Sequence, residues 1–263
     1  MAFYGCEFSF NGIPSSQYGL MLYDIGGIVE DGTFSSGLEI VEDRTARRYK
    51  PLFYGVKQNT PLTFTMTFGV HPKDIDQGRS LDRYDMAVVA AWLTGQDGYR
   101  YLEIAQPDME AMRYRCIITE LSYVTWGQIP WAFRCTVTCD SPFAYLRPEV
   151  YTCAAGSSVT VRNRAASKYY YPLVSISVPS GMTNVSITNT SDGNRVCGFT
   201  NIPGGQQTIT IDNENEVITT TANLNLYDTF NNKFLRLVRG DNVLNVAGGA
   251  VTITCEYPIN IGG

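Results

Sequence analysis

The sequence predicts a mainly β protein with one helix, divided into two domains near residue 145. Three observations carry that reading. Two stretches of the first half alternate strictly between apolar and polar residues, one capped amphipathic segment lies between them, and the composition changes after Asp140-Ser-Pro142.

From Thr60 to Val70, Leu62, Phe64, Met66, Phe68 and Val70 fall on one side and Thr63, Thr65 and Thr67 on the other. A two-residue period over that length is a strand signal, because successive side chains of a strand point to opposite faces. The pattern returns with Trp131, Phe133, Cys135, Val137 and Cys139 against Ala132, Arg134, Thr136 and Thr138. One half-buried antiparallel sheet explains both. Between them, Ser80 is the expected helix cap, with Asp82 and Asp85 in the first turn. Leu81, Tyr84, Val88, Ala91 and Trp92 form the expected apolar face, and Gly95 is the stop.

Beyond residue 145 threonine, asparagine, serine and glycine increase and helix formers decline. The expected strands are Ser158–Val161, Pro172–Val178, Asn184–Thr188, Gln207–Ile211, Glu216–Thr220, Lys233–Val238, Asn242–Val246 and Ala250–Glu256. Turn residues separate them at Ser191-Asp-Gly-Asn194, Pro203-Gly-Gly205, Asn231-Asn232 and Gly240-Asp-Asn242. About eight short strands at this spacing predict a β-sandwich over residues 146–263, after a first domain over 1–145.

Composition bounds the function. At 263 residues, 44% apolar and 17% charged, the chain can bury cores without disulfides or a metal, and it is not a disordered polymer. Its longest apolar run, Met86 to Leu93, is far short of the roughly 20 residues that cross a bilayer. No membrane insertion is expected. The opening Met1-Ala-Phe-Tyr-Gly-Cys-Glu7 has neither a basic nor an apolar signal region, so export by a signal peptide is not expected either.

The seven cysteines are then expected to be reduced and buried. Cys135 and Cys139, four residues apart on one strand, sit roughly 13 Å apart, beyond the approximately 7 Å that a disulfide spans. Cys6, Cys116, Cys153, Cys197 and Cys255 form no C-x-x-C pair, and His71 is the sole histidine, so no metal site is expected.

Residues 1–140 carry 12 basic and 17 acidic side chains, a balance of −5, whereas residues 141–263 carry eight of each. An acidic chain without a basic stripe repels phosphate backbones on average, which argues against specific nucleic-acid binding. It would suit a surface past which DNA slides without sticking.

No catalytic constellation emerges. A serine or cysteine nucleophile needs an activating base, yet the only histidine is His71, read as a solvated or packed residue, and no G-x-S-x-G elbow is present. Asp212, Glu214 and Glu216 could supply the two carboxylates of a glycoside hydrolase, but their spacing by asparagines favours a solvated hairpin end. Neither a phosphate-binding nor a dinucleotide-binding glycine motif occurs, and no cofactor is expected. Arg239-Gly240-Asp241 overlaps an expected turn, and Asn184-Val-Ser186 and Asn189-Thr-Ser191 are read as ordinary strand and turn residues. The one basic cluster, Arg44, Arg47, Arg48 and Lys50, directly follows Glu39, Glu42 and Asp43. Such mixed charge fits an exposed loop or ribbon that pairs with a neighbouring subunit, and equally a plain solvated loop.

Together these segments resemble the distal tail proteins of long, flexible-tailed bacteriophages. Phe8-Ser-Phe10-Asn-Gly12 and Ser16-Gln-Tyr-Gly-Leu20 are similar to the family's start. Phe53-Tyr-Gly55, the strand from Leu62, the helix ending Trp92-Leu93, and Gly98-Tyr-Arg-Tyr-Leu102 follow in order, and Cys139-Asp-Ser-Pro142 with Tyr145 closes the first half. Tyr171-Pro172 leading into Ile176, Asn189, Ile211-Asp212, Phe230-Asn231, Phe234-Leu-Arg-Leu237 and Gly240-Asp-Asn242 look like the carboxy-terminal module.

The resemblance implies a belt domain, a split β-barrel with one α-helix, followed by a galectin-like β-sandwich. It implies a structural virion protein of the tail tip, assembled in the host cytoplasm and without enzymatic activity. Six belts would close into a ring that joins the tail tube protein to tail-associated hub or receptor-binding proteins and leaves a channel for DNA. Some relatives carry carbohydrate-binding insertions, for which the gaps between the late strands here leave no room. Tyr169-Tyr-Tyr171, the one dense aromatic run, is expected to pack against the other domain. The competing reading is a carbohydrate-binding β-sandwich module that adheres to the host surface, with a glycoside hydrolase third.

Overall fold

The computed structural model describes residues 7–26, 38–58, 61–71, 74–75, 78–106, 111–126, 128–165 and 167–259. Cys6, Thr60 and Pro72, which entered the sequence reading, lie outside these residues. Two compact units result, one up to Tyr145 and one from Leu146 to Ile259. The protein is mainly β, with a single long helix among the described residues.

In the first unit the elements are β1 (Phe8–Phe10), β2 (Ile13–Pro14), β3 (Leu20–Gly26), β4 (Leu38–Asp43), β5 (Leu52–Gln58), β6 (Thr63–Val70), α1 (Arg83–Thr94), β7 (Arg100–Ile104), β8 (Met112–Trp126) and β9 (Ile129–Cys139), with a short β10 (Ala144–Leu146) at the junction. The main sheet is antiparallel and runs β2-β1-β7-β8-β9-β6-β3, an open linear order. Asn11 and Gly12 take φ of 53° and 77°, the positive values that a two-residue hairpin between β1 and β2 demands.

The two alternating stretches are neighbours. β6 pairs with β9 in a register that sets Phe64 opposite Val137, Met66 opposite Cys135 and Phe68 opposite Phe133, all buried. The next pair along, Gly69 opposite Ala132, is small. A Cβ on Gly69 would fall 2.5 Å from the Trp131 carbonyl oxygen and 2.7 Å from the Ala132 Cβ.

The helix differs from expectation at its cap and its face. Asp82, not Ser80, is the N-cap: its carboxylate accepts from the Asp85 amide at 2.7 Å, and Asp85 accepts from the Asp82 amide at 3.3 Å. This reciprocal box satisfies two amides that a helix start otherwise leaves open. The buried face is Val89, Trp92 and Leu93, while Tyr84, Val88 and Ala91 point to solvent. Trp92 decides the rotation. Its ring stacks on Phe8 at 5.8 Å and meets Tyr18 at 4.7 Å, and its Nε1–H donates to the Phe10 carbonyl at 3.1 Å.

The second unit contains β11 (Glu149–Cys153), β12 (Ser158–Asn163), β13 (Tyr169–Tyr170), β14 (Leu173–Val178), β15 (Val185–Asn189), β16 (Arg195–Phe199), β17 (Gln207–Asp212), β18 (Val217–Thr220), β19 (Leu237–Val238), β20 (Gly240–Ala247), β21 (Ala250–Cys255) and β22 (Pro258–Ile259). A five-stranded sheet, β11-β21-β14-β17-β18, faces a four-stranded one, β12-β20-β15-β16. Inward residues of both sheets, such as Val174, Ile176 and Ile253 from one and Ile187, Cys197 and Leu244 from the other, share one core. This is a β-sandwich.

Several expectations are corrected here. Gly240-Asp-Asn242 is the start of β20 and pairs with β12, not a turn. Asn242 is fully buried, and its amide takes over hydrogen bonding that a turn would otherwise handle: Nδ2 donates to Val238 O at 2.8 Å and to Gly240 O at 2.9 Å, while Oδ1 accepts from the Val238 amide and from Asn189 Nδ2, both at 2.9 Å. The expected strand Lys233–Val238 shrinks to β19 because side chains hold its backbone. Leu235 N donates to Asn213 Oδ1, and Arg236 O accepts from Asn189 Nδ2. The tyrosine run makes contacts within its own unit: Tyr170 meets Tyr257 at 4.8 Å, and the Arg236 guanidinium covers Tyr169 at 4.1 Å.

Candidate functional site

Arg44, Arg47, Arg48 and Lys50 all lie in the exposed connection between β4 and β5. Among the described residues those strands pair only with each other and form a two-stranded ribbon outside the main sheet. The turn closes through an Arg48 amide donating to the Thr45 carbonyl at 3.1 Å, with Arg47 in the left-handed region at φ 68°. Arg44 Nε donates to Glu42 Oε1 at 2.8 Å, a solvated pair of small energetic weight. The four cations are therefore brought together at one end of a ribbon, in the company of Tyr49, which is 95% exposed.

The sequence reading missed the ribbon's face. Ile40 stands opposite Val56, and Glu42 stands opposite Phe53 beyond a bulge at Tyr54. Residues two apart on a strand share a side, so Ile40, Val56 and Phe53 lie together. Ile40 is 61% exposed and Phe53 65%, and Tyr54 is exposed as well. A lone hairpin is marginally stable in water, and one that presents a large apolar side is a surface awaiting cover. The periodic signal was broken: Ile40-Val41 and Leu52-Phe-Tyr54 set apolar residues side by side instead of alternating them.

A second apolar surface is the outer side of α1. Tyr84 is 83% exposed and Val88 51%, at the i and i+4 spacing that aligns them on one helix face. Beside them are the exposed carboxylates of Asp82 and Asp85.

The carboxylates weighed for hydrolysis form a hairpin end between β17 and β18. Burial raises the Asp212 pKa, but the Asn215 side chain and the Asn215 and Glu214 amides outweigh it and hold this carboxyl below its usual range. That is the reverse of what a proton donor needs. Asn213, expected as a turn residue, is buried, and its Nδ2 donates to Pro172 O at 2.6 Å. Among the described residues no group of three or more His, Cys, Asp or Glu side chains could hold a metal, and no helix is long and apolar enough to cross a membrane.

The six described cysteines are free and buried. Cys116 sits directly opposite Cys139 across β8 and β9. Burial pushes the Cys135 and Cys139 thiols up to about 12, and it raises Cys116 further with help from the neighbouring Cys139 and Cys135. Thiols held this firmly protonated are poor nucleophiles.

Comparison with known proteins places this architecture. A search of curated proteins finds no match. Among solved structures, the SPP1 Dit (gp 19.1) protein, described as a paradigm of hub adsorption apparatus in phages that infect Gram-positive bacteria, superposes with a TM-score of 0.66 at 10% identity, over 96% of this chain and 98% of that one. A chain of the phage P2 baseplate in its activated, calcium-containing conformation superposes with a TM-score of 0.51 at 10% identity, over 92% and 91%. At such identity the shared property is the fold. The profile of a phage tail protein N-terminal domain matches residues 3–141, and that of a phage tail C-terminal domain matches residues 143–257. With both profiles matched in sequence order and nearly the whole length accounted for, the chain belongs to the phage tail proteins.

Proposed function

We propose that this protein is the hub at the distal end of a phage tail. Six copies close into a ring through their first units, join the tail tube protein to tail-associated or receptor-binding proteins, and leave a central passage for DNA. The observation that carries the reading is the fold shared with a tail hub protein over nearly the full length of both chains. The role is structural, and assembly takes place in the host cytoplasm. Residues 1–145 act as the ring-forming belt and 146–263 as a galectin-like sandwich.

Ring closure needs one face of each copy to meet a different face of the next. The ribbon end with Arg44, Arg47, Arg48 and Lys50 is the interface candidate, because its charge and exposed apolar side give it both a means of orientation and a reason to associate. The acidic excess of the first half disfavours DNA adhering to the passage.

Negative-stain imaging of the purified chain, alone and with its tail neighbours, tests the reading. Six-fold rings in end views are expected. A protein that stays monomeric with its tail neighbours present and retains soluble polysaccharide instead would overturn it in favour of the glycan-binding module.

A further inference from the structure

We infer that the β4–β5 ribbon of one copy docks on the outer face of α1 of the next copy. The inference rests on the ring reading and specifies its contact. Each copy carries two separate exposed apolar surfaces in the same unit: Ile40, Phe53 and Val56 on the ribbon, and Tyr84 with Val88 on the helix. Each surface is bordered by charge, and the signs are opposite. The ribbon turn bears Arg44, Arg47, Arg48 and Lys50, partly offset by Glu39, Glu42 and Asp43 on β4, and stays net positive, whereas the first turn of α1 bears Asp82 and Asp85 around Arg83 and is net negative.

Pairing ribbon with ribbon would set one net positive end against another. Pairing helix with helix would oppose like carboxylates. Ribbon on helix is the arrangement that covers both apolar surfaces and matches charge at once. It is also head-to-tail, so each copy gives a ribbon and receives one, as a closed ring requires. Both surfaces belong to exposed side chains, so neither is needed for the fold of its own copy.

Two single variants of the full chain, Phe53→Cys and Val88→Cys, carried on differently sized tags, provide the test. Mixed under mild copper-catalysed air oxidation, they should cross-link as one chain of each kind. Each variant alone should cross-link at least roughly tenfold less, the margin expected if about 1.4 kcal/mol separates matched from mismatched faces. Phe53→Asp and Val88→Asp should each weaken self-association by about tenfold or more while leaving the melting temperature of the dilute, dissociated chain unchanged. Added salt should weaken the wild-type association.

Rings that form without the mixed cross-link would overturn the docking and leave the ring reading standing. Mixed cross-links that grow into open chains would uphold the docking and overturn the ring. Cross-linking of Phe53→Cys with itself as readily as with Val88→Cys would overturn the head-to-tail contact. A chain that sediments as a monomer at every concentration, with its tail neighbours present, would overturn both.

Discussion

The indole Nε1–H of Trp92 donates to the backbone carbonyl of Phe10 at 3.1 Å, tying the middle of α1 to the first strand 82 residues earlier in the chain. Both groups are buried, so neither can exchange its partner for water. Trp92→Phe keeps most of the ring volume and removes only the donor. Thermal melting should show a loss of about 1–3 kcal/mol for that change and of about 3–5 kcal/mol for Trp92→Ala. A calorimetric scan should show the loss in the unfolding of the first unit.

The cap offers a sharper discrimination. Asp82→Ala removes the acceptor for the Asp85 amide and should cost about 1 kcal/mol. Ser80→Ala should change stability by less than about 0.5 kcal/mol. Chemical denaturation of the two variants separates the observed cap from the one the sequence suggests.

Asn242 fills its site with both donors and acceptors, and aspartate has only acceptors. Asn242→Asp would set a buried carboxylate against the carbonyls of Val238 and Gly240, at a cost of about 3 kcal/mol or more. Asn245→Asp, three positions along on the exposed side of the same strand, should be neutral within about 0.5 kcal/mol. Urea midpoints of the two variants check this.

Much of the β architecture was legible because burial writes a two-residue period, which β6 shows from Thr63 to Phe68 and β9 from Phe133 to Cys139, lapsing only at the buried Gly69 and Ala132. The strand between β7 and β9 was not. β8 slips register between Ile118 and Glu120 and again between Val124 and Thr125, and each slip breaks the alternation that periodicity depends on. Strands β11 and β16 were missed for related reasons. β11 exposes Val150 and buries Cys153, and β16 contains Gly198, where a Cβ would come within 3.1 Å of the neighbouring strand. On the helix, the spacing pointed to the face of Tyr84, Val88 and Ala91, but the core took the neighbouring face of Val89, Trp92 and Leu93, because apolar residues lie on both. The ribbon's four cations were legible as a cluster. The exposure of Phe53 and Ile40 was not, because apolar residues in a strand pattern read as core until the sheet they belong to is known.

The thiols predict a pH dependence. Burial raises Cys135, Cys139 and Cys197 to about 12 and Cys255 to about 11 from an ordinary 9.0, so the folded state holds these protons more tightly than the unfolded one. The associated stability is fully present below pH 9 and is lost as pH climbs from 9 towards those raised values. The denaturation midpoint should therefore fall progressively above pH 9. Below it, iodoacetamide should leave the six described cysteines unmodified in the folded chain and label them once urea is added.

Because the ribbon joins no larger sheet among the described residues, its cross-strand bonds carry most of its order. In the proposed ring its last increment of order would come from association, which would make the final stage of folding bimolecular and subject to mass action. A dilute chain and a concentrated one should differ in how rigid this segment is, and amide exchange in residues 38–58 should slow as copies gather.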